Sequence, residues 1–433
     1  MNKLAVDLNE SINNANPFVM EMLSELGKKL YFPRGILTQT AEAKDKACNF
    51  NATIGIATVG KHVMHTKSLA SNICGLNPDE YLSYAPSHGR PDLRKEWKKQ
   101  LLVNNPSLTA DSLSLPIATS GVTHGLSIAA DLFINPGDTV IVPEKFWGNY
   151  SMIFETRKEA KLITHRLFSD RNGFDTVAFA DTLKKHAGSG KVTVIINSPH
   201  NPTGWAITKT EAEEIKNALI STAESGCNVI AIFDDSYYGL FFEDDVCRES
   251  TFAKVAGMHN RLLAIKVDGA TKEHFVWGLR VGFITFSEGS KCPKLYTALE
   301  QKAAGNLRGT ISNSSNLSQA LVLKALQSEE HEKERLACFE TLKRRALKVK
   351  EILSDNRFSE VWTPYPFNAG YFMCLKLKHI DADTFRLRLL EDYGIGVISE
   401  GKTDIRVAFS CVEETCLQEM FETMLKCAIS MQN

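Results

Sequence analysis

Asp268-Gly-Ala-Thr-Lys-Glu-His-Phe-Val-Trp-Gly-Leu-Arg-Val-Gly-Phe283 is the stretch that decides how this chain is read. The apolar runs Leu262-Leu-Ala-Ile265 and Phe283-Ile-Thr-Phe286 flank it, and both have the length and content of buried strands. Between them stand a small-residue turn, Lys272 and, eight residues on, Arg280. A lysine at the end of a buried strand is poorly hydrated, which lowers its pKa and frees its amine to attack carbonyls. A lone loop lysine is ordinarily a solvated surface residue. Here small Gly269 and Thr271 bracket it, and Gly278-Leu-Arg-Val-Gly282 follows. That spacing suits a Schiff-base lysine with an arginine reaching back to a ligand phosphate.

At 433 residues the chain exceeds the usual single-domain size, so two domains are expected. Apolar content of 43% and charged content of 23% are those of an ordinary globular protein. Fifty basic against 51 acidic residues point to neither nucleic acid nor a membrane surface as the main partner. No apolar run approaches the roughly 18 residues of a membrane span. The first residues, Met-Asn-Lys-Leu-Ala-Val-Asp-Leu-Asn-Glu, lack a signal-peptide core. Ten scattered cysteines without a C-x-x-C pair indicate no zinc site or disulfide framework. A cytosolic protein is expected.

Residues 1–50 read as mostly helical, with apolar spacing over 18–26 and a break at 32–35. Asn51-Ala-Thr-Ile-Gly-Ile-Ala-Thr58 is a glycine-broken segment, a loop on local pattern. Tyr81-Leu-Ser-Tyr-Ala-Pro-Ser-His-Gly-Arg-Pro-Asp-Leu-Arg94 is a turn-rich loop entering a helix near Pro91. Ile117-Ala-Thr-Ser-Gly-Val-Thr-His-Gly-Leu126 carries a strand end into a helix with free N–H groups at its start, either a phosphate site or a helix capped by Ser120. It lacks the G-x-G-x-x-G of dinucleotide binding. After the strand Thr139-Val-Ile-Val-Pro143 comes Glu144-Lys-Phe-Trp-Gly-Asn-Tyr150, where Trp147 is a stacking residue or a core one. Val192-Thr-Val-Ile-Ile196 runs into Asn197-Ser-Pro-His-Asn-Pro-Thr-Gly204, a tight turn that aims Asn201 inward. Asn228-Val-Ile-Ala-Ile-Phe-Asp-Asp-Ser-Tyr-Tyr-Gly239 is a buried strand ending in two aspartates; Asp234 is expected inside and Asp235 exposed, with no histidine near for a metal. Ile405-Arg-Val-Ala-Phe-Ser410 puts one arginine in an apolar strand, where it must meet a carboxylate, internal or from a ligand.

Each motif follows a predicted strand, and open α/β sheets bind ligands at strand carboxyl ends. The fold expected is α/β, a three-layer, doubly wound, mostly parallel sheet over a large domain spanning 51–320. Residues 316–353 read as helical. A smaller α+β domain spans 321–433, with strands at Tyr371-Phe-Met-Cys-Leu-Lys-Leu377 and Ile395-Gly-Val-Ile-Ser399, and takes in the segment 1–50.

Taken together these words, in this order, resemble fold-type I pyridoxal 5′-phosphate (PLP) enzymes, the class I/II aminotransferases of the aspartate/aromatic kind. The resemblance runs from about Gly55 to Arg406. It implies that Lys272 holds PLP, that Asp234 protonates the ring nitrogen, with Tyr237 completing D-x-x-Y, and that Asn201 donates to the ring's phenolic oxygen. It implies phosphate contacts from Ser120, Gly121, Val122, Thr123, Thr271 and Arg280, and a ring stacked on Trp147. Tyr84 takes the place of a tyrosine that reaches the neighbouring subunit's cofactor, so a homodimer with shared sites is implied. Gly55 lines the substrate pocket, and Arg406 forks onto the substrate α-carboxylate. A run similar to Arg308-Gly-Thr-Ile-Ser-Asn313 carries an arginine that crosses the dimer interface to a side-chain carboxylate; a helix-end surface arginine is the other reading. The departure is Gly269, where the family usually has serine. The reaction expected is transfer of an amino group from an amino acid, aspartate or aromatic, to a 2-oxo acid such as 2-oxoglutarate. A PLP-dependent lyase or decarboxylase of the same fold is the alternative. Nucleic-acid partners, membrane attachment and a metal are not expected.

Overall fold

The computed structural model of the chain describes residues 1–15, 36–53, 55–60, 62–71 and 75–432. The helix expected over 18–26 and the break at 32–35 lie outside the described residues.

Seven strands form the central sheet: β1 (Ile117–Thr119), β2 (Thr139–Pro143), β3 (Lys161–His165), β4 (Lys191–Asn197), β5 (Asn228–Asp234), β6 (Leu262–Gly269) and β7 (Gly282–Ser287). Their order is β1-β7-β6-β5-β4-β2-β3. All pairs are parallel except those of β7, which is antiparallel to both neighbours. These strands are nearly continuous Val/Ile/Leu/Ala runs because both faces are covered.

The side-chain period of two sorts them between two cores. Val192, Val194 and Ile196 of β4, Val229, Ala231 and Phe233 of β5, and Leu262 and Ala264 of β6 pack on one face, against helices Thr176–His186 and Lys209–Glu224. Ile195, Ile230, Ile232, Ile265 and Val267 take the other, against helices Val122–Phe133 and Pro293–Thr310.

That parity also decides the two aspartates. Asp234 follows Ile230 and Ile232; Asp235 follows Phe233 onto the opposite face. Asp235 is 3% exposed, which corrects the expectation of an exposed residue. It is paired with Lys266, itself fully buried on β6, and Lys266 also lies 3.4 Å from Asp268. Trp97 Nε1 donates to Asp268, and Ser250 Oγ to Asp235 at 2.5 Å.

A second, antiparallel sheet holds β8 (Trp362–Pro364), β9 (Met373–Leu377), β10 (Ile398–Glu400) and β11 (Asp404–Val407), in the order β8-β9-β11-β10. Helix Glu329–Leu353 leads into it. The amino-terminal part pairs with this half of the chain in a separate two-stranded sheet, where Phe50–Asn51 runs parallel to Ile395–Gly396. No described helix is long and apolar enough to cross a membrane.

Candidate active site

The carboxyl ends of β1, β2, β4, β5 and β6 converge on a cavity of about 330 Å³, closed on its far side by Arg406 of the second sheet, by Phe372 in the loop before β9, and by Gly55 and Ile56. Lys272 stands on this wall in the short helical turn Ala270–Glu273 that ends β6. Tyr371 Oη donates to the Lys272 carbonyl at 2.8 Å and pins the turn. The half-buried amine donates to the Gly55 carbonyl at 3.3 Å and lies 5.3 Å from the centre of the Tyr237 ring. Burial, then the nearby Arg280 and Arg406 guanidinium groups, push this amine down to about 8, against the pull of Asp234.

Asp234 is 2% exposed. Its Oδ2 accepts from Tyr150 Oη at 2.6 Å, and its Oδ1 from Ser236 N at 3.2 Å and Ser236 Oγ at 2.5 Å. Burial raises the carboxyl's pKa, and these donors oppose it. Asn197, on the same face at the end of β4, ties two loops together: its Nδ2 donates to the Asp234 carbonyl at 2.8 Å, and its Oδ1 accepts from Asn201 N at 2.7 Å. The turn closes at Gly204, where φ is +79° and a Cβ would lie 2.1 Å from the Phe372 carbonyl oxygen, so only glycine fits.

At the other end of the cavity, helix Val122–Phe133 begins at Gly121 (φ +84°), so the cap position belongs to Gly121 and not to Ser120. A Cβ on Gly121 would lie 2.4 Å from Arg280 Nη2: the guanidinium packs onto the bare glycine, beside the first-turn N–H groups of Val122 and Thr123. Ser120 Oγ turns instead to Ser314 Oγ at 3.5 Å. Gly269 has a steric reason to be glycine, since a Cβ there would meet the Val281 carbonyl oxygen at 2.6 Å.

Trp147, Asn201, Tyr237 and Thr271 also line the cavity. Four expected residues do not: Ser120 and Gly121 stand behind the lining at the helix start, and Tyr84 and Arg308 lie away from it within this chain. Tyr84 is 89% exposed. Arg308 is exposed and donates to Ser312 Oγ at 2.7 Å, one turn along its own helix end. Sequence reasoning missed Asn197, Ser236, Trp277 and Phe372, which line the cavity, and Tyr150 behind it. Strand parity was the available signal for Asn197; the others come from loops that only the fold brings in.

Three buried polar atoms around this cavity have no partner among the described residues: Thr271 Oγ1, Trp277 Nε1 and Arg406 Nε. Donors left unpaired beside a helix N-terminus and an arginine form a cradle for an anionic ligand, and they fit a phosphate-bearing cofactor with a carboxylate substrate. Among the described residues no group of three or more His, Cys, Asp or Glu is placed to hold a metal ion.

Comparison with known proteins agrees with this geometry. Residues 66–423 match the family model described as aminotransferase class I and II. A probable kynurenine–oxoglutarate transaminase of Saccharomyces cerevisiae is 25% identical over 346 residues, 76% of this chain and 69% of that one. An aspartate aminotransferase of Pyrococcus abyssi is 28% identical over 203 residues, 46% of this chain and 48% of that one. The crystal structure of an aminotransferase from Anaerococcus prevotii superposes with a TM-score of 0.84 at 22% identity, covering 94% of this chain and 99% of that one. With most of its length matched, the chain belongs to the class I and II aminotransferases, PLP-dependent transaminases of fold type I.

Proposed function

We propose that this transaminase takes an aromatic amino acid as donor and 2-oxoglutarate as acceptor, and that Lys272, Asp234, Asn201, Arg280 and Arg406 do the work of the site. The observation that carries this is the amine of Lys272, held in the cavity between Arg280 and Arg406 with its pKa lowered to about 8. When bound, PLP supplies a ring that takes up the electron pair freed at the substrate's α-carbon.

The chain does the rest. Lys272 holds the cofactor, then moves a proton at the α-carbon as general acid and base. Asp234 keeps a proton on the ring nitrogen. Asn201, its Oδ1 taken by Arg406, keeps its Nδ2 for the ring oxygen. Trp147 covers one ring face, and Tyr237 stands beside the lysine. Gly121, Val122, Thr123, Thr271 and Arg280 hold the phosphate, with Ser120 shaping the loop. Tyr84 reaches the same group from a second copy, so the working unit is a homodimer. Arg406 clamps the α-carboxylate beside Gly55.

The apolar walls include Ile56, Tyr237, Trp277 and Phe372, and among the described residues of one chain the cavity offers no guanidinium beyond Arg280 and Arg406. Such walls favour a flat, apolar side chain over a second carboxylate. The yeast relative's name, kynurenine–oxoglutarate transaminase, accords with an aromatic donor. The Pyrococcus relative's name keeps aspartate as a second reading, which needs Arg308 to arrive from the second copy.

The test is to mix PLP-loaded protein with a panel of amino acids and follow conversion of the cofactor to its amine form by absorbance. Phenylalanine, tyrosine, tryptophan or kynurenine should convert it faster than aspartate. Conversion by none of the panel would overturn the assignment.

A further inference from the structure

Tyr150 is among the largest fully buried side chains of the molecule, 1% exposed, and it touches two residues of the site without lining the cavity itself. Its ring stands edge-on to Trp147, centroids 5.8 Å apart at 82°, and to Phe154 at 6.3 Å, and stacks on Phe146 at 6.2 Å. Its hydroxyl donates to Asp234 Oδ2 at 2.6 Å.

Both acceptor directions of Asp234 Oδ1 are already used, by the N–H and the hydroxyl of Ser236. Oδ2 takes one bond from Tyr150 and has one acceptor direction left, and Asp234 forms part of the cavity wall. We propose that Tyr150 is a positioning residue, which selects Asp234 Oδ2 as the oxygen that meets the cofactor's ring nitrogen and holds that carboxylate in its ionised form. This rests on the role assigned to Asp234 above.

The physical reason is a competition. Desolvation favours the neutral carboxylic acid, and a hydroxyl donor favours the carboxylate. Without the Tyr150 hydroxyl, the proton shared by Asp234 and the ring nitrogen moves to the carboxylate, and the ring becomes a poorer electron sink. The ring contacts of Tyr150 also set the plane of Trp147, so one residue orients both the face and the edge of the cofactor's place.

Tyr150→Phe removes the hydroxyl and keeps the ring. The variant and the wild type are loaded with PLP carrying ¹⁵N in the ring, and the nitrogen is observed by NMR. The wild type should show a protonated ring nitrogen. Tyr150→Phe should move the signal toward the unprotonated value and lower kcat about 10–100-fold, the worth of one hydrogen bond to a charged group, with KM unchanged. A trifluorotyrosine at position 150, a stronger donor of nearly the same shape, should give a nitrogen signal at least as protonated as the wild type. A Tyr150→Phe protein of wild-type melting temperature, nitrogen shift and kcat would overturn the proposal and leave the function of the site intact. A variant that fails to fold is decided by the trifluorotyrosine protein, in which an unprotonated signal overturns the proposal. A wild type that takes up no PLP would instead overturn the reading of the site, and this inference with it.

Discussion

Arg406 on β11 donates from Nη1 to Oδ1 of Asn201 at 3.1 Å, so a residue of the second sheet fixes the amide of the turn after β4. Its Nη2 donates to the Thr53 carbonyl at 3.1 Å, its plane lies 4.3 Å from the centre of the Phe372 ring, and its buried Nε has no partner among the described residues. A guanidinium at 2% exposure, with no carboxylate in ion-pair range among the described residues, is costly in isolation. In the role proposed above, an entering anion would recover that cost, and Arg406 and Asn201 would act as one unit toward substrate and cofactor.

Arg406→Ala should therefore lower kcat/KM by a factor equivalent to about 2–5 kcal/mol, through the lost charge pair with the substrate carboxylate. Asp234→Asn should leave PLP bound and slow the conversion of cofactor by orders of magnitude. Both are read in single-turnover kinetics with one amino acid. An Arg406→Ala protein as fast as wild type would assign the carboxylate to another cation.

Lys272 should titrate far below an ordinary lysine. Its amine is protonated below about 8 and neutral above, so reactivity grows as pH rises through that value. Competitive acetylation of the apoenzyme, read at the Lys272 peptide by mass spectrometry, should be half-maximal near pH 8. Arg406→Gln should move that midpoint upward by removing a neighbouring positive charge. A midpoint near 10 in the wild type would place the amine in water. In the holoenzyme, borohydride should fix PLP to this same peptide, and Lys272→Ala should abolish the labelling.

Arg308→Leu separates the two donor classes. If the residue reads a side-chain carboxylate across an interface, kcat/KM for aspartate and glutamate should fall far more than for phenylalanine or tyrosine. Equal losses, or none, would show that Arg308 serves only its helix end and the bond to Ser312.

The Asp235–Lys266–Asp268 cluster should matter for stability. Lys266→Met strands two buried carboxylates and should cost about 3–5 kcal/mol in equilibrium denaturation. A loss under about 1 kcal/mol would show that a neutral aspartate is tolerated there.

Local sequence marked six of the seven strands of the central sheet and the residues at their ends, while Lys161–His165 and Trp362–Pro364 went unmarked. Apolar runs over 192–196, 229–233 and 262–265, the alternation of side chains along any strand, and turn words such as Asn201-Pro-Thr-Gly204 are local properties of the backbone and its side chains. From them follow the parallel sheet and a shared mouth for Lys272, Asp234 and Asn201. The same parity sends Asp235 to the face of Lys266, a conclusion available only once β5 and β6 are known to be neighbours. Pairings across long separations, Tyr150 with Asp234, Arg406 with Asn201, Lys272 with Gly55, were settled by the tertiary structure alone. They depend on strand order and on how the second sheet closes over the first. Loop residues such as Trp277 and Phe372 carry no periodic signal at all, because their place is fixed by what packs against them rather than by their neighbours in the chain.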